Sequence, residues 1–334
     1  MLETLSYTLK AIVPILLIIL LGYIVRRIGH WSDDFYKQLN QLCFRLFLPV
    51  QLFCNVYAID DLSTMNWCVI GYLFCGILAC ALVGVLAAKA LVPKRLQKGV
   101  IVQASFRSNQ AVLGLPLANS LGGDAAMGFA ALSTSVSVPL FNVLAVLVLT
   151  LYGSDEGHKP TAKEVAGRVA RNPLIIGAMS GVIVVLIRQL IPTIDGVPVF
   201  TIRNQLPIIY DTINRLSVVS SPVMLFVLGT RLDLTAVGSI LPQLTLGVTL
   251  RLIVSPLLVI GTAVLFRETL NLTPTELPSL ITITSTPVAV SSAVMVQELG
   301  GDDQLASQMV VWTTILSAIT IFCIVYILRL SGLL

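Results

Sequence analysis

Ten stretches of roughly 20 predominantly apolar residues follow one another along the chain, the length a helix needs to cross a bilayer. They run near 8–26, 37–58, 66–90, 99–121, 125–152, 173–191, 205–230, 236–266, 277–299 and 304–330. Short polar connections separate them; the longest, 153–172, mixes both signs of charge and reads as a connecting loop. Two stretches depart from the pattern. Gln103 to Asp124 (QASFRSNQAVLGLPLANSLGGD) is long enough to span, yet it is polar at its centre and interrupted by Gly114 and Pro116. Thr282 to Asp302 (TITSTPVAVSSAVMVQELGGD) behaves the same way and ends in the same four residues, LGGD.

These two stretches are the fourth and ninth spans in order. Five spans separate each element from its counterpart, so the copies run in opposite senses. The pattern therefore predicts two inverted five-helix repeats, 1–152 and 173–334, joined by a cytoplasmic loop at 153–172. A second matched pair supports the repeat. Span two holds Asn40 and Pro49-Val50-Gln51-Leu52-Phe53, and span seven holds Asn214 and Pro222-Val223-Met224-Leu225-Phe226. Interrupted hydrophobic segments at corresponding places in two halves are the sequence pointer to a transporter's binding site.

Lys and Arg set the orientation, because cytoplasmic loops hold the excess of positive charge. The loops after spans one, three, five and seven contain Arg26, Arg27, Lys37, Lys89, Lys94, Arg95, Lys98, Lys159, Lys163, Arg168, Arg171 and Arg231. The opposite side has only Arg188, Arg203, Arg267 and Arg329, with Asp60, Asp61 and Asp124 in its early loops. Both termini are expected outside the cytoplasm of a cell (inner) membrane.

Composition agrees with this class. Of 334 residues, 56% are hydrophobic and 11% charged, with mean hydropathy +0.92, where soluble domains are roughly 25% charged. The expected fold is an all-α polytopic membrane protein. The net charge of +4 is modest and does not suggest nucleic acid. Cys43, Cys54, Cys68, Cys75, Cys80 and Cys323 sit in or beside apolar segments and read as small buried hydrophobes. His30 and His158 fall in polar connections. Neither a CxxC pair nor zinc spacing occurs, so no metal or cofactor is expected. The GxSxG, HExxH and Walker patterns are missing too, and the chain reads as a non-enzyme.

Depth narrows the candidate chemistry. At about 1.5 Å per residue, Asn109 lies roughly 15 Å from Gly99, and Pro287 a like distance from Leu277. Both reach the middle of a hydrocarbon core about 30 Å thick. Aligning the LGGD copies places Asn109 opposite Pro287 as well. A proline inside a spanning helix frees a carbonyl on the preceding turn, and a broken helix leaves half-helix N-termini that favour anions. Ser108, Asn109 and Gln110 flank the first break; Thr284, Ser285, Thr286, Ser291 and Ser292 flank the second. Neutral donors with helix ends suit a carboxylate, although Ser and Thr hydroxyls also bond their own helix carbonyls. Arg107 either attracts an anion or snorkels to the inner face. Arg45, Arg215 and Arg251 pose the same choice, with structural pairing favoured. Asp211, Glu276 and Glu298 lie near span ends, so no carboxylate-based proton or sodium site is visible.

Taken together, these features resemble the auxin efflux carrier family, which includes plant PIN proteins and bacterial PIN-like and malonate permeases. The likeness covers the whole chain. Asn109-Gln110-Ala111-Val112-Leu113-Gly114-Leu115-Pro116-Leu117 is similar to the family's Asn-x-x-x-x-Gly-[Ile/Leu]-Pro-Leu pattern. Thr286-Pro287 resembles its second break, and Pro49 to Phe53 its second-helix Pro stretch. Arg251-Leu252-Ile253-Val254-Ser255-Pro256 looks like the eighth-helix [Arg/Lys]-Leu-x-x-x-Pro. Members commonly place a proline where this chain has Ser108, so the first break is less enforced here. The Asp and Lys of plant members' span three are absent, and auxin-like chemistry is not assumed.

The resemblance implies that broken spans four and nine cross and hold substrate at the crossing. It implies a dimerising scaffold of spans one, two, six and seven, a mobile domain of spans three to five and eight to ten, and an elevator-type movement. The expectation is a carrier of small organic anions, with Asn109 on the carboxylate and Pro287 opening the second helix. Ser108, Gln110, Ser285 and Thr286 would line the pocket, with Gln51 and Asn142 as secondary candidates. Two alternatives stay open: a sodium-coupled organic-anion symporter of the bile-acid type, and a membrane sensor or channel.

Overall fold

The computed structural model describes residues 2–29, 31–58, 66–153, 161–194, 197–233 and 237–334. His30, His158, Asp60, Asp61 and Lys159 lie outside the described residues. The chain is helical almost throughout. Six described helices are long and apolar enough to cross a membrane. Their outer faces expose large apolar side chains such as Leu82, Ile183, Leu257 and Ile319, as hydrocarbon contact requires.

Helix α1 (Leu2–Ile28) leads into α2 (Asp33–Leu42), which runs through a π turn (Cys43–Phe47) into α3 (Leu48–Tyr57). Next come α4 (Trp67–Leu91) and α5 (Arg95–Phe106); after a break, a π turn (Gln110–Gly114) opens α6 (Leu115–Tyr152). The second half has α7 (Ala162–Ala170), α8 (Pro173–Leu190), a two-residue ladder of β1 (Thr193–Ile194) with β2 (Val197–Pro198), α9 (Ile202–Gln205) and α10 (Pro207–Thr230). It continues with α11 (Val237–Thr249), a π turn (Leu250–Val254) and α12 (Ser255–Leu265), then α13 (Leu277–Ser285), α14 (Ser291–Leu299) and α15 (Asp303–Leu330).

The three π turns share one cause. Each ends two residues before a proline: Pro49, Pro116 or Pro256. A helical proline lacks an N–H and clashes with the carbonyl four residues earlier, here that of Arg45, Val112 or Leu252. The preceding turn widens to relieve the clash, giving the longer bonds from Leu48 N to Cys43 O and from Ser255 N to Leu250 O. Such bulges re-aim the side chains they carry.

The two LGGD copies both turn the chain on a positive-φ glycine, but with different glycines and different backbone conformations. In the first, Gly123 takes φ +68° and kinks the rod between Leu115 and Tyr152. In the second, Gly300 takes φ +83° after α14, and the Asp302 carboxylate accepts from Leu305 N at 2.9 Å to cap α15. Both conformations strain any residue with a Cβ.

Two expectations need amendment. The connection 153–172 contains a helix, α7, begun by a reciprocal Thr161–Glu164 capping box that was present in the sequence as T-x-x-E. Cys68, Cys75 and Cys323 are exposed on outer faces; only Cys43 and Cys80 are buried, and Cys54 is half-buried. The four-residue Gly76, Cys80, Gly84, Ala88 spacing on α4 is an internal seam, since a Cβ at Gly76 would meet Val259 at 3.1 Å and one at Gly84 would strike Ser105.

Candidate functional site

The second break follows from Pro287. The residue before a proline is driven from the helical region, and Thr286 is extended at φ −70°, ψ 153°. Helix α13 therefore stops at Ser285. Pro287 has no N–H for the Ile283 carbonyl, which accepts instead from Arg251 Nη2 at 2.7 Å. Arg251 Nε also donates to the Thr286 carbonyl at 2.8 Å. Arg251 sits on the π turn before Pro256 and is wholly buried.

The first break forms without a proline. Arg107 (φ −85°, ψ 107°) and Asn109 (φ −86°, ψ 45°) leave the helical region, and the other break holds them there. Ser108 and Val288 make an antiparallel bridge. Asn109 N donates to Pro287 O at 2.8 Å and Ala289 N to Arg107 O at 3.4 Å. Val288 N is taken by Thr313 Oγ1 at 3.1 Å. Each break thus answers the other's orphaned backbone groups, as apolar surroundings demand.

A cavity of about 50 Å³ lies against this pairing. Its walls are Leu48, Gln51, Leu52 and Asn55 of α3, Ser221 and Met224 of α10, and Val138, Phe141 and Asn142 of α6. The rest comes from Arg107, Ser108, Asn109, Ala111 and Val112 at the first break and Ala289, Val290 and Ser291 at the second. The N-terminal ends of both second half-helices therefore face it, with the positive ends of their dipoles.

Arg107 supplies a full charge. It is 3% exposed, so it does not snorkel. Its guanidinium donates to Asn142 Oδ1 at 2.9 Å, Ser291 Oγ at 2.8 Å and the Met295 sulfur, all neutral. A guanidinium has five N–H donors, so two are left over. Among the described residues the one buried acid is Glu276, bonded to Asn66 and Thr273 N at the head of α13. The cavity is cationic and lacks a described anion.

A profile of membrane transport proteins matches residues 7–325. The chain belongs to that membrane transport protein family, the auxin efflux carrier family its motifs resemble. It is similar to an uncharacterised transporter of Methanothermobacter thermautotrophicus, 25% identical over 316 residues, which is 93% of this chain and 95% of that protein. An uncharacterised transporter of Methanocaldococcus jannaschii is 24% identical over 322 residues, 94% of this chain and 96% of its own. The protein is an integral membrane transporter.

The transporter's fold sorts the candidates. Asn109, Ser108, Arg107, Gln51 and Asn142 line the cavity. The Ser108 hydroxyl is buried without a hydrogen-bond partner, and the Asn109 side chain is on the cavity wall beside it. Gln51 is occupied: Nε2 donates to Ser221 Oγ at 3.0 Å and Oε1 accepts from Ser220 at 3.2 Å. Asn142 is a support for Arg107, with Nδ2 on its own helix at Val138 O.

Gln110, Ser285 and Thr286 do not line the cavity. Gln110 is wholly buried and accepts from Ser137 Oγ at 2.7 Å. Ser285 is wholly buried, and the Thr286 hydroxyl returns to Thr282 O at 2.7 Å. Pro287 acts through its carbonyl and the break it causes. Their places in the fold explain this: Gln110 belongs to the π turn and packs on α6 through Ser137, while Ser285 closes α13 and Thr286 bonds back onto it, on the far side of the break from the cavity-lining Ala289, Val290 and Ser291. Asn55 and Ser221 line the cavity without having been singled out, since nothing in their apolar helices marks them.

A second, polar cleft lies at the helix ends, bounded by Arg26, Arg27, Lys37, Arg231, Asp33, Asp233 and Asp303. Arg231 Nη1 is 3.4 Å from Asp303. Burial pushes the Arg231 guanidinium below its ordinary range, and Asp303 opposes that shift.

Proposed function

We propose that this transporter carries small organic anions, held by a carboxylate at the paired breaks. The observation that carries the reading is Arg107, a buried guanidinium with spare donors and only neutral partners, beside the amide of Asn109. With both Nη2 hydrogens on Asn142 and Ser291, a carboxylate would accept one charge-assisted bond from a spare N–H of Arg107 and a second from the Asn109 amide. The converging half-helix N-termini add to the same potential.

We further read the fold as ten spans in two inverted repeats, divided into a scaffold (α1, α2–α3, α8, α10) and a mobile domain (α4–α6, α11–α15). Close glycine contacts support the division. Gly22 and Gly229 seat α1 on α10, and Gly177 and Gly181 seat α8 on α3. Gly76, Gly84, Gly99, Gly114 and Gly247 make their tight contacts within the second group. Backbone-close seams resist sliding; between the groups the cavity is walled by side chains. Small-molecule sites enclose roughly 300–1,000 Å³, so a cavity of about 50 Å³ must widen to admit a ligand. Relative movement of the two groups does that, and elevator-type transport follows. Extracytoplasmic termini, a cell-membrane location and a scaffold-mediated homodimer complete the reading.

A thermal-shift screen of mono- and dicarboxylates and aromatic acids, at two pH values with and without sodium, tests it. Asn109→Ala should melt like the parent yet lose the anion-induced shift, with affinity about 10- to 100-fold weaker for one or two lost charge-assisted bonds. Undiminished saturable uptake in proteoliposomes would reject the assignment.

A further inference from the structure

The broken helix α13 ends in carbonyls that its own backbone cannot satisfy. Ile283 O lost its donor to Pro287, and Thr286 O lies beyond the last helical turn. Unwound carbonyls and half-helix C-termini are the places where transporters of broken-helix design coordinate a cation. Here both oxygens are already engaged, by Nη2 and Nε of one wholly buried guanidinium at 2.7 and 2.8 Å.

Arg251 is otherwise hard to account for as a packing residue. It has no buried acidic partner among the described residues. Its Nη1 is buried without a hydrogen-bond partner. A charge in that position is costly in hydrocarbon. A leucine would fill the volume, and the two carbonyls would then be bare. The guanidinium meets the negative end of the α13 dipole, a few residues from where Asn109 pairs with Pro287.

We propose that Arg251 is a tethered cation: it occupies the carbonyl pair that a bound metal ion would otherwise take, and so keeps the second break formed without sodium. It is a positioning residue, acting on the site through the Thr286–Val288 segment and touching no ligand itself. The inference rests on the carrier reading only for its consequence, that anion binding is preorganised in the absence of a coupling cation.

The test uses the purified full chain with no organic anion, melted in sodium chloride and in choline chloride of equal ionic strength. Failure of the substrate assignment therefore leaves it untouched. The wild type should melt alike in both salts, and so should Arg251→Lys, which keeps the charge and most of the stability. Arg251→Ala should melt several degrees lower in choline and recover part of the loss in sodium, because the vacated carbonyls become available to a free cation. A sodium-specific rise in the wild type would overturn the proposal. So would an Arg251→Ala protein that matches the wild type in both salts. Should Arg251→Ala fail to fold, the wild-type and Arg251→Lys salt series still decide.

Discussion

The two breaks that meet at the site reach the same extended backbone by different means. At Thr286–Val288 the sequence itself forbids helix, through Pro287, and a buried cation takes up the carbonyls left behind. At Arg107–Asn109 no local residue forbids helix. The extended state is held by pairing with the other break, and the nearby cation turns into the cavity instead of onto carbonyls. One break is therefore a rigid platform and the other depends on it. The chemistry sits on the dependent side. Arg107, Ser108 and Asn109 all line the cavity, whereas Ser285 and Thr286 are turned away from it.

The largest effect should come from removing the charge on the dependent side. Arg107→Gln leaves Asn142 and Ser291 able to hydrogen-bond a neutral amide but deletes the fixed cation. Hydrogen bonds to charged groups contribute about 1.5–3 kcal/mol, so affinity for the best-stabilising anion should fall about 10- to 100-fold or more by calorimetric titration. Arg107→Lys should recover part of this, less than fully because a point charge lacks the fork. Equal affinity in Arg107→Gln would mean that the half-helix dipoles and Asn109 suffice.

A smaller and differently shaped effect is expected on the platform. Pro287→Ala restores an N–H aimed at Ile283 O and lets Thr286 return to helix, in competition with Arg251. Pro287 sits in extended backbone that accepts it, so its loss costs about 0.4–1 kcal/mol through the unfolded chain, offset by the regained helical hydrogen bond, and the variant should melt close to the parent. Transport should nevertheless drop about 10-fold, since a healed helix withdraws the Pro287 carbonyl from Asn109. Stability and activity would then move apart. Full uptake would show that pairing and Arg251 hold the break without the proline.

Much of this was legible in the residue pattern. Both broken stretches, the repeated LGGD turns and the meeting of Asn109 with Pro287 follow from hydropathy, prolines and a four-residue match. What stayed hidden was set by partners distant in sequence. Arg107 could equally have snorkelled, and only Asn142, Ser291 and Met295 fix it inward. Arg251 read as a generic buried arginine until Ile283 and Thr286 came into contact with it. Gln110 goes with Asn109, and Ser285 and Thr286 with Pro287, by proximity along the chain, yet Gln110 packs on Ser137 of α6 and Ser285 and Thr286 stay with α13, away from the cavity. Asn55 and Ser221 gave no signal because a single polar residue on an apolar helix is ordinary.

The mildest change tests whether the first break is extended by dependence alone. Ser108→Pro would write the same prohibition into it that Pro287 writes into the second. The preceding residue is already suitable: Arg107 at φ −85°, ψ 107° lies in the region a following proline demands. Ser108 N donates no hydrogen bond among the described residues, so nothing is lost by deleting its N–H. A proline placed where the native conformation accepts it stabilises by about 0.4–1 kcal/mol, through the unfolded chain. The variant should therefore melt at or slightly above the parent, and anion affinity should change by no more than about 3-fold, or about 0.65 kcal/mol, if the unpartnered Ser108 hydroxyl is a minor ligand. Combined with Pro287→Ala, it should restore part of the lost transport, because the first break would no longer need the second to stay open. A double variant as inactive as Pro287→Ala alone would show that the pairing itself, and not the extension of either strand, is what the site requires.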